Sequence, residues 1–134
     1  MAALVSASTA QGVPAFMTPE KTIYCGVVEA YKSPPFFVPP LTCWRPRNGF
    51  TVFLRALHGT ETEWNPRNKD ANPYTIRMLG FGRWWWATRS YQGFGPRPRE
   101  RVAYRCLSRT TGLTCTNRVG HGFWLGSPSG VYLF

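Results

Sequence analysis

The chain has 134 residues, enough for one domain of ordinary size and too few for two. Sixteen Lys and Arg against six Asp and Glu give a net charge of +10, and 13 glycines and 12 prolines are spread among aromatic and β-branched runs without any repeat. No stretch approaches the roughly 20 apolar residues of a bilayer-spanning helix, and no ten-residue run shows the three-and-four apolar spacing of an amphipathic one, so many short strands and turns are expected.

Residues 1–10 are small, apolar and uncharged, and Ser8-Thr9-Ala10 before Gln11 fits the small-x-small rule of signal peptidase. No basic residue precedes the short apolar run, so this segment is read as a signal-peptide remnant or a disordered tail, with residues 11–134 as a single β domain. Residues 22–28 are β-branched and aromatic and read as a strand. Four prolines in Ser33-Pro34-Pro35-Phe36-Phe37-Val38-Pro39-Pro40 forbid a central strand and favour an extended, exposed connection. Strands over 41–45 and 49–57 flank Pro46-Arg47-Asn48-Gly49, whose Asn-Gly step tolerates the positive φ of a tight hairpin. Residues 58–73 are polar and read as one long surface loop; Asn65, Asn68, Asp70 and Asn72 supply oxygen ligands, but Arg67 and Lys69 sit among them and the spacing fits no calcium loop, so no metal is expected. Further strands fall at 75–79, 83–91, 102–108, 113–117, 123–125 and 131–134. The expectation is an all-β single domain, a sandwich or barrel of about eight short antiparallel strands.

Four cysteines, none in a Cys-x-x-Cys arrangement, argue for disulfides over zinc or a redox motif. Centring a hairpin between Thr110 and Thr111 places Arg109 opposite Gly112 and Cys106 opposite Cys115, close enough to bridge. Cys25 and Cys43 then flank the proline-rich connection, and their bridge would constrain the unfolded chain by roughly 3 kcal/mol in the loop-entropy account. The favoured connectivity is Cys25–Cys43 with Cys106–Cys115, in an oxidising compartment, extracellular or at the cell envelope.

Thirteen of the sixteen cations are arginine, and nine of them fall between Arg77 and Arg118 against Glu100 alone. This points to an anionic polymer, cell wall or nucleic acid, or to a protein partner, although a high charge also serves solubility. Aromatics interleave most densely at Arg83-Trp84-Trp85-Trp86-Ala87-Thr88-Arg89. Alternation on a strand puts Trp84 and Trp86 on one face and Trp85 on the other. If Trp85 is buried, Trp84 and Trp86 make a platform for sugars or bases with Arg83 and Arg89 alongside; if the pair is buried, the platform vanishes. Those four residues are the candidate binding site.

No catalytic motif is present: there is no Gly-x-Ser-x-Gly elbow, His-Glu-x-x-His, phosphate loop or dinucleotide fingerprint, and no cofactor is implied. The two histidines, His58 and His121, with an arginine or with Glu61 or Glu63 as base, form the alternative catalytic set, that of a ribonuclease or glycan hydrolase. The plainer role for His121, between two glycines, is a hydrogen bond that fixes a tight corner.

Phe16-Met17-Thr18-Pro19, Ile23-Tyr24-Cys25, Tyr104-Arg105-Cys106, Gly112-Leu113-Thr114-Cys115-Thr116-Asn117 and Gly120-His121-Gly122-Phe123-Trp124-Leu125 resemble an uncharacterised family of small secreted bacterial domains. That family ends, as here at Tyr132-Leu133-Phe134, in an aromatic stretch; it carries Ser-Gly-Asn where this chain has Glu20-Lys21-Thr22. The resemblance implies export and disulfides and brings no activity. Three functions therefore stand: a non-enzymatic binding or envelope-associated module acting through Arg83, Trp84, Trp86 and Arg89, a secreted hydrolase acting through His58 or His121, and an inhibitor or structural surface protein docking through residues 34–40.

Overall fold

The computed structural model describes residues 15–27, 39–64, 77–88, 92–96, 102–126 and 129–134, all of them in strands and turns. Among the described residues, twelve short strands form two six-stranded sheets. The first sheet contains β1 (Ala15–Met17), β2 (Tyr24–Val27), β3 (Leu41–Trp44), β4 (Phe50–Leu54), β5 (Thr60–Trp64) and β6 (Arg77–Met78), in the order β5-β4-β3-β2-β1-β6. The second contains β7 (Trp84–Ala87), β8 (Gln92–Gly95), β9 (Tyr104–Arg109), β10 (Gly112–Asn117), β11 (Gly122–Gly126) and β12 (Val131–Leu133), in the order β12-β11-β10-β9-β7-β8. Neighbours are antiparallel except β1 and β6, which are parallel, and the chain passes from β6 to the second sheet through residues 79–83.

The all-β class and both disulfides agree with the sequence reading. Cys25 stands opposite Cys43 on β2 and β3, Cys106 opposite Cys115 on β9 and β10, with Cα separations of 4.1 and 4.0 Å. Each bridge occupies the centre of an inward-facing row. In the first sheet the row runs Phe16, Cys25, Cys43, Val52; in the second it runs Phe94, Trp85, Cys106, Cys115, Phe123. The Phe16 and Trp85 rings meet 5.0 Å apart, joining the two rows across the core.

Two differences from the expected elements have physical causes. The polar stretch after His58 is not wholly a loop: its residues 60–64 form β5, an edge strand exposed along its length from Glu61 to Trp64. An edge strand with water on both faces needs no apolar alternation, and Glu61 and Glu63 guard it against pairing with other chains. The strand count exceeds eight because Ala15–Met17, Thr60–Trp64 and Gln92–Gly95 are strands too short or too polar to declare themselves. The oxygen-rich positions Asn65, Asn68, Asp70 and Asn72, the 1–10 segment and most of the proline-rich connection lie outside the described residues.

Polar side chains latch the sheets together at both ends. At one end the buried Arg45 guanidinium, in the β3–β4 turn, donates to the carbonyls of Gly126 (2.7 Å) and Gly130 (2.5 Å) beside β11 and β12. At the other, Asn117 Nδ2 of β10 donates to the Arg55 and His58 carbonyls of the β4–β5 turn, 2.8 Å each, while its Oδ1 accepts from the Val119 and His121 amides. The Tyr104 hydroxyl donates to the Pro39 carbonyl at 2.6 Å, and burial of that phenol pushes its pKa well above the ordinary value. The β1–β2 turn, closed by Lys21 N–H donating to the Thr18 carbonyl, holds Lys21 at φ 60, a left-handed conformation costing an L-residue about 1 kcal/mol.

Two outcomes follow. Replacing both cysteines of one bridge by alanine lowers the urea midpoint, and more so for Cys25 and Cys43, whose bridge spans 18 positions against 9; each doubling of the closed loop adds about 0.6 kcal/mol. Ser108 is fully buried, with its hydroxyl unpartnered among the described residues. Ser108→Ala therefore stabilises the fold by about 1 kcal/mol, read as an increase in the midpoint at unchanged slope.

Candidate functional site

Burial of Trp85 fixes the parity of β7. With Trp85 in the core, Trp84 and Trp86 lie on the outer face of the second sheet, each half-buried. Strand pairing carries that face across the molecule in two rows. One runs Trp84, Leu107, Thr114, Trp124, Tyr132. The other runs Trp86, Arg105, Thr116, Gly122, and its β11 end is hydrogen-bonded to Phe134.

Glycines make room for the large rings. Trp86 covers Gly93, its cross-strand partner on β8, where any Cβ would run into the indole. Trp124 spreads over Gly126 and Gly130, and the Phe134 ring lies against Gly122. Tyr132 and Phe134 stack with centroids 5.8 Å apart. Arg105 Nε donates to Thr116 Oγ1 at 3.3 Å, and Arg109, of the same parity on β9, is exposed. Arg83 is exposed just before β7, with its stem beside Gly80; Arg89 lies outside the described residues. No Asp or Glu occurs among the described residues from Arg77 onward. The face is thus aromatic and cationic, and the acidic side chains of the described residues, Glu20, Glu61 and Glu63, belong to the first sheet and its turns.

The alternative catalytic residues occupy the end latched by Asn117. That side chain binds the His58 carbonyl and the His121 amide, and a Cβ on Gly59 would stand 3.8 Å from His121 Nδ1, so both histidines come to one corner. Both are exposed. The corner is fixed by the Asn117 amide acting on the His121 backbone, a role sequence reading had given to histidine itself. Glu61 is engaged in an exposed ion pair with Arg55 at 2.9 Å, and Glu63 follows it on β5. Among the described residues no group of three His, Cys, Asp or Glu gathers as a metal site. No helix among them is long and apolar enough to cross a membrane.

A second concave feature was not foreseen. At the Arg45 end, a cleft of about 490 Å³ opens between the β1–β2, β3–β4 and β11–β12 turns and the end of β5. Its walls include Lys21, Arg47, Asn48, Phe50, Trp64 and Ser129, with Arg45 beneath. Four segments distant in sequence contribute, so no local motif announced it; the one available signal was the Arg45-Pro46-Arg47 step at a tight turn.

Compared with models of protein families, with curated proteins and with solved structures, the chain gives no significant match.

Asn117→Ala removes two donated and two accepted hydrogen bonds from a buried position and leaves two turn carbonyls without their partner. It should cost about 2–4 kcal/mol, several net hydrogen bonds lost together, visible as an earlier urea transition and as faster amide exchange at Val119 and His121.

Proposed function

We propose that this chain is a secreted, non-enzymatic binding module, working outside the cell or at its envelope, that contacts an anionic polymer through the outer face of the second sheet. The observation that carries this reading is the coincidence on one face of Trp84, Trp86 and Trp124 with Arg105 and Arg109, without a carboxylate among the described residues of that sheet. Indole faces stack on bases and sugar rings with little regard to sequence, and arginine adds forked contacts to phosphate or carboxylate. Arg83 is exposed just before β7, and Arg89 follows the strand by two positions in the sequence. Two buried disulfides suit an oxidising compartment, where a small domain depends on them.

A hydrolase acting on RNA or glycan is the second reading, favoured by the convergence of His58 and His121 at one corner. It requires one ring to take a proton while the other gives one.

Both readings are decided on RNA and on purified cell wall. Binding is expected to weaken with salt, and Arg83→Ala, Arg89→Ala should reduce the log–log salt slope by roughly 0.7 per arginine on a single-stranded polymer. Trp84→Ala, Trp86→Ala should lower affinity by about 1–3 kcal/mol per stacked ring at unchanged slope. Full retention by both double variants removes the face from consideration. Polymer cleavage that disappears in His58→Ala and in His121→Ala transfers the assignment to the hydrolase.

A further inference from the structure

The cleft at the Arg45 end has a chemistry of its own, set by three features. The first is charge: Lys21, Arg45 and Arg47 all contribute to its walls, and no carboxylate does among the described residues. Lys21 and Arg47 are exposed, and neither side chain has a hydrogen-bond or ion-pair partner among the described residues. The Asn48 side chain uses its oxygen on the Phe50 amide at 3.0 Å, which turns its amide nitrogen into a further donor at the same rim. Arg45 is engaged by the Gly126 and Gly130 carbonyls, so Lys21 and Arg47 are the cations that the cleft presents to an anionic group.

The second feature is aromatic. Trp64 is 65% exposed, far barer than its size would ordinarily allow, and is held on one side by Phe50 at 5.0 Å in an edge-on contact. An indole braced in this way and open to a cleft offers a stacking surface to a ring.

The third is rigidity. Arg45 ties the β3–β4 turn to the carbonyls of Gly126 and Gly130, so the opposing walls belong to one latched structure. Lys21 lines the rim from a backbone held at φ 60, a conformation that glycine would adopt freely and that lysine adopts at a cost. A volume of about 490 Å³ is within the range of small-molecule sites.

We propose that this cleft is a binding site for a small anionic ring compound, whose phosphate or carboxylate is held by Lys21 and Arg47 and whose ring stacks on Trp64. The site is independent of the outer face of the second sheet. Acidic sugars and nucleotides share this chemistry, and the two sources are separated by the choice of probe.

The test is calorimetric titration of the whole, oxidised chain with glucose 6-phosphate, glucuronate and adenosine monophosphate, with glucose and inorganic phosphate as controls. At least one charged ring is expected to bind saturably below about 1 mM, with both controls at least tenfold weaker; whether sugar or nucleotide binds tighter identifies the source. Trp64→Ala and Arg47→Ala each raise Kd at least fivefold. Lys21→Gly does the same while the urea midpoint stays equal or rises, because glycine relaxes the turn, and this separates loss of the cation from loss of the fold. Leu57→Ala, at an exposed position in the β4–β5 turn away from both sites, leaves probe binding unchanged. The proposal is overturned if no charged ring saturates, if inorganic phosphate alone binds as tightly as the rings, or if binding survives both Trp64→Ala and Arg47→Ala.

Discussion

Two inward-facing rows of side chains, each closed at its centre by a cross-strand disulfide, hold the arrangement on which the rest depends. Phe16, Cys25, Cys43 and Val52 form one row and Trp85, Cys106, Cys115 and Phe123 the other, and the Phe16–Trp85 contact ties them together. A covalent bond between directly opposed residues forbids register slippage in its strand pair, and a slip of one position would exchange the two faces of a sheet. The disulfides therefore do more than constrain the unfolded chain. By fixing which residues of β9 and β10 point inward, they also fix the row that Trp85 joins, and with it the outward parity of Trp84 and Trp86. The candidate binding face is a consequence of where the sulfur atoms sit.

The sheets are held to one another by polar bonds at their ends as well as by apolar packing between them. Arg45 and Asn117 act at opposite ends of β4 and of the β10–β11 pair, each reaching from one sheet to backbone groups of the other. Both are buried. Burial of a guanidinium is costly, and desolvation holds the Arg45 pKa below its ordinary value. The charge is compensated by carbonyl oxygens that would themselves be starved of partners. Trp124 covers the outside of the same glycine-rich end, over Gly126 and Gly130, so that the carbonyls are approached by Arg45 on one side while the strand is shielded by an indole on the other.

What could be read from the sequence was local and symmetric. The Cys106–Cys115 hairpin was legible because a two-residue turn between Thr110 and Thr111 dictates every opposed pair, and the observed register is the one expected. The alternation within Trp84, Trp85 and Trp86 was legible as a pair of alternatives, and only burial of Trp85 chooses between them. β5 was missed because the alternation of Thr60, Thr62 and Trp64 with Glu61 and Glu63 is short and runs straight into the polar stretch after it, as suits an edge strand with two wet sides. The role of Asn117 carried a faint trace, an Asn four positions before His121 with Gly120 at positive φ between them, the pattern of a side chain capping a turn. Arg45 carried none. A buried, bridging arginine and a surface one look alike in a strand-turn segment, because the difference lies in carbonyls some eighty positions away.

Among the described residues the acids are confined to the first sheet and its turns, while cations occur in both sheets. Glu61 and Glu63 lie on the outer edge of the first sheet, where they discourage edge-to-edge association, and the described part of the second sheet carries arginine without any acid. A carboxylate beside Arg105 would neutralise part of the outer surface of the second sheet. The cleft takes its cations from the first sheet: Lys21 and Arg47 come from its turns and face Ser129 and Val131 of the second. It is braced by a latch that the fold requires in any case. A site assembled on such a latch is ordered before a ligand arrives, and the ordering cost that ordinarily opposes binding has been met in folding.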